Sequence, residues 1–445
     1  FHANEARGIR RNLTTGHWAE RKEGKGVSLR LLHLPTEELR TDFTLRYDQA
    51  DERGYPYQYN GPLTDDGGRF DHLTGKISNN RPHGYRRDLV NAAAHIQWQA
   101  DAFTLSSVSS YQWLTDDMRI DQDFLADDIF TLRQRQRIHT LNQELTLKSP
   151  TRQRWQWVTG LSGMLQWTRA DAPVDFYTDG VKMIQQAMDE GMKDAPVRVQ
   201  LTDEHLHIPG LFHTPVMSIA LFHQSDIRLT ERLTLTAGLR LDHERQAIDY
   251  DTHTTVNTLF TGMGLVAQPG HKTVAYTGDF RKRQTHLLPR LALSLQTGIG
   301  RIYANATKGL RSGGYNMQMF SEIIQQSFRS SELTEAEVRE QINYDPEWSL
   351  NYEVGTHLDL LEGALRMDAA LFLIHTRDQQ VSRFTPEGLG RILVNAGRAR
   401  SMGGELSGQA QPLAALSLSL SYGYTHAPFT RYDGGTSEAG EKNDY

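Results

Sequence analysis

The chain has 445 residues, 38% hydrophobic and 23% charged, with a formal net charge of -6 and no cysteine. Disulfides, thiolate metal sites and cysteine nucleophiles are therefore excluded, and a nucleic-acid footprint would need a basic surplus that is missing. No run of ~18 apolar residues occurs, so a membrane-spanning helix is not expected; strands that show lipid with every second side chain keep hydropathy this low.

The opening, Phe1-His2-Ala3-Asn4-Glu5, has neither the basic nor the apolar region of a signal peptide, which suggests a processed or truncated end. In a first long connection, at about 50–85, Tyr55, Tyr57 and Tyr59 alternate near Arg53 and Arg69. Aromatic rings with arginine suit a bulky anionic aromatic ligand, although a solvated loop carries the same residues. Residues 103–113 set Phe103, Leu105, Tyr111 and Trp113 against Thr104, Ser106, Ser110 and Gln112, the period of a strand with two unlike faces. The next connection, 114–135, is crowded with aspartates, among them Asp116, Asp117, Asp121 and Asp123. These could supply some of the 6–8 oxygens calcium takes, but no EF-hand spacing is present, and a solvated acidic loop is the preferred reading.

Alternation returns at 155–167, where Trp155, Trp157, Leu161, Leu165 and Trp167 share a face and the two outer tryptophans mark its ends. Such ends fit the aromatic girdles of a membrane barrel. The connection 169–213 carries Val181, Ile184, Met188 and Met192 at helical spacing, then His205, His207 and His213. Three histidines on one loop could hold a metal or an iron chelate; they could also be plain polar loop residues. Residues 233–245 set Leu233, Leu235, Ala237, Leu239 and Leu241 against Thr234, Thr236, Gly238, Arg240 and Asp242. A further long connection, 246–284, holds the basic run Arg281-Lys282-Arg283; another, 309–346, starts at Arg311 and Tyr315 and contains Thr334-Glu335-Ala336-Glu337, a capping box for a helix over 334–342. After a shorter connection near 381–391, residues 416–424 place Leu416, Leu418, Leu420, Tyr422 and Tyr424 opposite Ser417, Ser419 and Ser421.

Short connections (Pro35–Leu39, Ala100–Asp101, Ser149–Arg154, Leu229–Arg232, Gly298–Gly300, Leu360–Gly363, Pro412–Ala415) take turns with the long ones. That sidedness, with strands of about 10–15 residues, favours an all-β, antiparallel transmembrane barrel over a soluble sandwich, whose strands are nearer 5–6 residues. About 14 to 16 strands can be read, forming one domain over 1–445. Catalytic residues are not expected: Gly160-Leu161-Ser162-Gly163 sits inside a strand and cannot form a hydrolase elbow.

Four stretches resemble TonB-dependent receptors of the siderophore type. Thr236-Ala237-Gly238-Leu239-Arg240-Leu241-Asp242-His243-Glu244 is similar to their "GLRY…E" strand, and Tyr303 through Gly313-Gly314-Tyr315-Asn316 to their "Y…GF…GGYN" strand end. Pro346-Glu347 through Asn351-Tyr352-Glu353-Val354-Gly355 resembles "PE…NYE-G", and Asn395-Ala396-Gly397 through Gly403-Gly404-Glu405 resembles "NAG…GxE". The resemblance implies a 22-stranded barrel with long extracellular loops and short periplasmic turns in the outer membrane of a Gram-negative bacterium. It implies import of a scarce metal chelate, above all a ferric siderophore, with energy from the TonB-ExbB-ExbD system. The family's plug and TonB-binding box have no counterpart here, so the chain is expected to be a truncated barrel portion. The expected ligand contacts are Tyr55, Tyr57, Tyr59, Arg281, Arg283, Arg311 and Tyr315, with His205, His207 and His213 as metal candidates and no resident cofactor. Cobalamin, haem or a glycan are other cargoes, though the family's haem-receptor "FRAP…NPNL" segment is not matched. A surface-anchoring barrel, or a lipoprotein partner, is the remaining reading.

Overall fold

The structure, a computed structural model, describes residues 2–58, 60, 71–151, 153–262, 265–329, 331–384 and 391–432. Its wall strands are β1 (His2–Arg7), β2 (Arg21–His33), β3 (Leu39–Arg53), β4 (Gly84–Gln99), β5 (Thr104–Asp121), β6 (Phe130–Lys148), β7 (Trp155–Asp171), β8 (Leu211–Arg228), β9 (Leu233–Gly262), β10 (Leu265–Thr297), β11 (Gly300–Arg311), β12 (Glu347–Leu360), β13 (Leu365–Arg377), β14 (Gly397–Leu413) and β15 (Leu416–His426). Each pairs antiparallel with the next, from β1 to β15. With short flanking strands they form one 19-stranded sheet among the described residues.

The two faces of this wall meet different solvents. Leu145, Leu161, Leu221, Leu241 and Leu287 stand side by side across β6 to β10, and all are exposed, Leu221 by 59%. A row of leucines in water would forfeit the burial that drives folding, so this face is the lipid face. The opposite face is polar and self-paired. The Arg240 guanidinium bonds both Asp242 oxygens, at 2.8 Å from each, and Tyr303 Oη donates to Glu353 at 2.9 Å. Tyr303 lies across Gly355, where a Cβ would come 2.5 Å from the phenol oxygen, so only glycine leaves room for that contact.

Connections on one end are short, and on the other they build a folded cap. Helix α1 (Thr178–Gly191) and helix α3 (Glu335–Ile342) lie where the sequence places helices; α2 (Met319–Arg329) does not follow from that reading. The expected loop 246–284 is instead strand: β9 and β10 stay paired from Leu233 opposite Leu295 to Gly262 opposite Leu265. The reason is the inner face of that hairpin. Ile248, Tyr250, Val256, Val274, Tyr276 and Phe280 are buried there against Ile184 and Met188 of α1, Phe320, Ile323 and Ile324 of α2, and Val338 and Ile342 of α3. At ~3.3 Å per residue, the 30 residues of β9 reach roughly 100 Å, far beyond a ~25 Å apolar band. The hairpin is thus a mast on which the extracellular helices pack.

Candidate ligand-binding mouth

The mouth is built where β3 ends. Gly54 turns the chain with φ +94, and a Cβ there would sit 1.6 Å from the Ala19 carbonyl, so the turn demands glycine. Beyond it the Tyr55 and Tyr57 rings stack with centroids 6.4 Å apart. Two residues from other segments close on them: His83 meets Tyr55 edge-on at 5.9 Å, and Phe124 lies 4.6 Å from Tyr57. Phe124 adopts φ +57, a left-handed conformation that a bulky residue holds only when its surroundings enforce it. Tyr57 stays 44% exposed, leaving one aromatic surface open to solvent. Burial pushes the Tyr55 phenol up to about 12, so it is a neutral donor at neutral pH. On the inner face nearby, Tyr85 Oη donates to Asp116 at 3.3 Å, and the buried Arg87 Nε has no protein acceptor among the described residues.

The acidic loop supports this cluster from behind. Asp121 is fully buried; its Oδ2 accepts the Arg81 N–H at 2.9 Å, and its own N–H donates to His83 Nδ1 at 3.3 Å. Asp123 caps the Leu125 and Phe130 amides at 2.9 and 3.2 Å. Burial, and then the closeness of the other carboxylate, holds Asp121 far above the usual carboxylate range, and burial raises Asp123 as well. Burial alone lowers His83 to about 4, so it is neutral under ordinary conditions. Arg81 pairs with Asp128 at 2.5 Å and lies 3.2 Å over the Tyr177 ring, tying the loop to the approach to α1. The aspartates are therefore buried or paired and do not form a solvated loop. Among the described residues no set of three His, Asp or Glu side chains is arranged to hold a metal.

The residues expected from sequence divide into groups. Tyr55 and Tyr57 come together, and Tyr59 lies outside the described residues. Arg311 ends β11 on the polar face, opposite Glu347. Tyr315 packs toward Phe280, 6.4 Å between centroids, as part of the cap. Arg281 and Arg283 share the outer face of β10 with Leu287 and Leu291, and only Lys282 turns inward, where it bonds Asn343 and the Tyr344 carbonyl. They occupy a strand rather than the expected loop, because residues 246–284 form the hairpin. His205 and His207 both bond Asp175 Oδ1, at 2.9 and 2.8 Å, while His213 pairs with Asp249 at 3.1 Å on the outer face of β8. The three histidines are thus not one ligand set. His83 and Phe124 are absent from the sequence reading; only their fold neighbours mark them.

Comparison with known proteins follows this geometry. The sequence pattern of the family described as TonB dependent receptor-like, beta-barrel matches residues 33–445. No curated protein sequence matches. Among solved structures, the ferric yersiniabactin uptake receptor FyuA from Yersinia pestis superposes with a TM-score of 0.64 at 18% identity, over 96% of this chain and 56% of that one. The siderophore receptor PiuA from Acinetobacter baumannii gives 0.62 at 15% identity, over 99% and 60%. The copper transporter OprC gives 0.58 at 14% identity, over 96% and 57%. At these identities the likeness establishes the fold, and the chain spans a little over half the length of these structures. With the family pattern covering nearly all of it, the chain belongs to the TonB-dependent receptors, as an outer-membrane β-barrel of a Gram-negative bacterium.

Proposed function

We propose that this barrel is the wall and mouth of a receptor that imports a ferric siderophore, with energy delivered by the TonB-ExbB-ExbD system through a plug. One observation carries the reading: the Tyr55, Tyr57, His83 and Phe124 cluster presents an exposed aromatic face, with Arg87 of β4 nearby beside Tyr85. Aromatic faces hold catecholate or phenolate rings, and Arg87 and Arg311 suit their negative charge. The siderophore receptors among the similar structures agree with this cargo. The stacked tyrosines also support a second reading, uptake of a glycan or cobalamin, since their flat faces suit a sugar or corrin edge as well.

The test is growth under iron limitation of a strain lacking the full-length gene, fed ferric siderophores, haem and cobalamin one at a time. Loss of growth on one ferric chelate, restored by the wild-type gene and reduced about tenfold or more with Tyr57→Ala, supports the proposal. Unchanged growth on every iron source would sink it and move the glycan reading forward.

A further inference from the structure

One pairing in the wall stops short. β10 and β11 pair from Thr297 opposite Gly300 only as far as Arg290 opposite Thr307. Above that point β9 stays beside β10 up to Leu265, and β12 stays beside β11 up to Arg311. Pro289 stands at the parting, with no N–H to carry the ladder on toward Lys308, the next residue of β11. Above it β10 reaches the far side through side chains: Lys282 Nζ donates to Asn343 Oδ1 at 3.0 Å and to Asp345 Oδ1 at 3.1 Å. His286 alternates with Leu287 onto the polar face, and Trp348 of β12 alternates with Glu347 onto the lipid face. An intact sheet would keep two such side chains apart, yet their rings meet edge-on with centroids 4.8 Å apart, so the wall is open between them. Within the parting, Gln284 Oε1 accepts from His286 Nε2 at 3.1 Å, while the Gln284 amide nitrogen is buried with no acceptor among the described residues. A buried donor left open marks a place for an acceptor that the protein itself does not supply.

Immediately below the parting the lipid face is hollow. Ala304 and Ala306 of β11 form a low floor between Leu291 and Leu293 of β10 on one side and Tyr352 and Leu371 on the other, around a recess of about 690 Å³. These side chains alternate onto the lipid face of their strands, so hydrocarbon fills the recess. The recess runs up to the parting, where the open amide lies. A ligand that matches both places carries an acyl chain and a polar head with hydrogen-bond acceptors. We propose that recess and parting form one lateral site for an acylated, amphiphilic metal chelate. Its chain lies over Ala304 and Ala306, and its head enters between β10 and β11 toward the Gln284 amide. The proposal rests on the chelate-import reading and names the class of chelate. An acylated chelate is held in the outer leaflet, and approach through the water above the mouth would expose its chain at a cost that grows with every methylene. Entry through the wall avoids that step.

The test uses the full-length receptor in lipid nanodiscs, with empty discs as the blank, and two probes: a ferric catecholate bearing a dodecanoyl chain and the same chelate without it. The acylated probe should bind about tenfold or more tightly than the plain one. Ala304→Trp/Ala306→Trp, which fills the recess, should remove that factor and leave the plain chelate unchanged. Heat-modifiable gel mobility identifies folded barrel, and Ala304→Leu/Ala306→Leu replaces the tryptophan double if that one does not fold. Gln284→Leu should weaken the acylated probe about threefold or more, the effect of one lost hydrogen bond. The chain has no cysteine, so Pro289→Cys/Lys308→Cys can be bridged by a short bismaleimide across the parting. In cells that bridge should stop uptake of radioactive iron from the acylated probe, while uptake from the plain one continues. Equal binding of the two probes, undiminished binding by a folded recess-filling double, or undiminished uptake past the bridge would each overturn the lateral site. If the plain chelate then still binds and Tyr57→Ala weakens it, the ferric cargo stands without that site. Binding of neither probe would remove the ferric-chelate reading and the lateral site together.

Discussion

Asp121, Asp123 and His83 show how burial sets the charge of single groups behind the mouth. In the two carboxyls the folded value is raised, so their contribution is complete below the unfolded value near 3.8 and is lost as pH rises through the folded one. His83 has the opposite sign: its folded value, about 4, is below the unfolded 6.5, so its contribution is present above 6.5 and lost as pH falls through about 4. Asp121→Asn removes the alkaline penalty while keeping an acceptor for the Arg81 N–H. Hydrogen exchange of the Leu125 and Phe130 amides should slow at pH 8 and stay unchanged at pH 4; an equal effect at both would contradict the assignment. None of this can be read from sequence spacing. The six aspartates between Asp116 and Asp128 look like a solvated patch or a loose calcium loop, and only the strand pairing that buries Asp121 decides otherwise.

At the level of elements, helix signals held wherever local chemistry made them. Thr334 accepts the Glu337 amide and Glu337 returns a bond to the Thr334 N–H at 2.7 Å, the reciprocal cap expected from four residues of sequence. Helix α2 buries Phe320, Ile323, Ile324 and Phe328 at helical spacing, but has no capping signal to set it apart from the rest of the long connection 309–346. The β9–β10 mast was lost for a different reason. Its outer face carries charges such as Asp249, Asp251 and Arg281, which look like loop, while its inner face is apolar only because helices distant in sequence cover it. Phe320 touches Tyr250 at 4.6 Å and Phe212 at 5.3 Å, so it joins α2 to two wall strands. Phe320→Ala should cost the cap about 3–5 kcal/mol, and Thr334→Ala about 1 kcal/mol. Exchange protection in α2, α3 and the upper half of β9 should fall with the first and only in α3 with the second. Protection lost throughout the lower wall as well would mean that the cap and wall unfold as one unit.

For the whole molecule, alternation was enough to place the wall, because a membrane enforces it on every strand at once. The faces predicted for 155–167, 233–245 and 416–424 are the faces observed, and the short turns fall where expected; the register that aligns the strands depends on contacts no single segment encodes. Two-faced solvation also makes a sharp prediction. Leu161 lies midway between Trp155 and Trp167, and its partner Leu221 shares that depth on the lipid side. Gln224, three residues on, turns inward beside Asp226, 3.4 Å away. Leu221→Arg places a cation at mid-membrane and should destabilise the barrel by about 2–4 kcal/mol, whereas Gln224→Arg adds the same charge to a wet lumen next to a carboxylate and should change stability by less than about 1 kcal/mol. Equilibrium unfolding of the full-length receptor in lipid vesicles measures both. If the two substitutions cost the same, the leucine row does not face lipid.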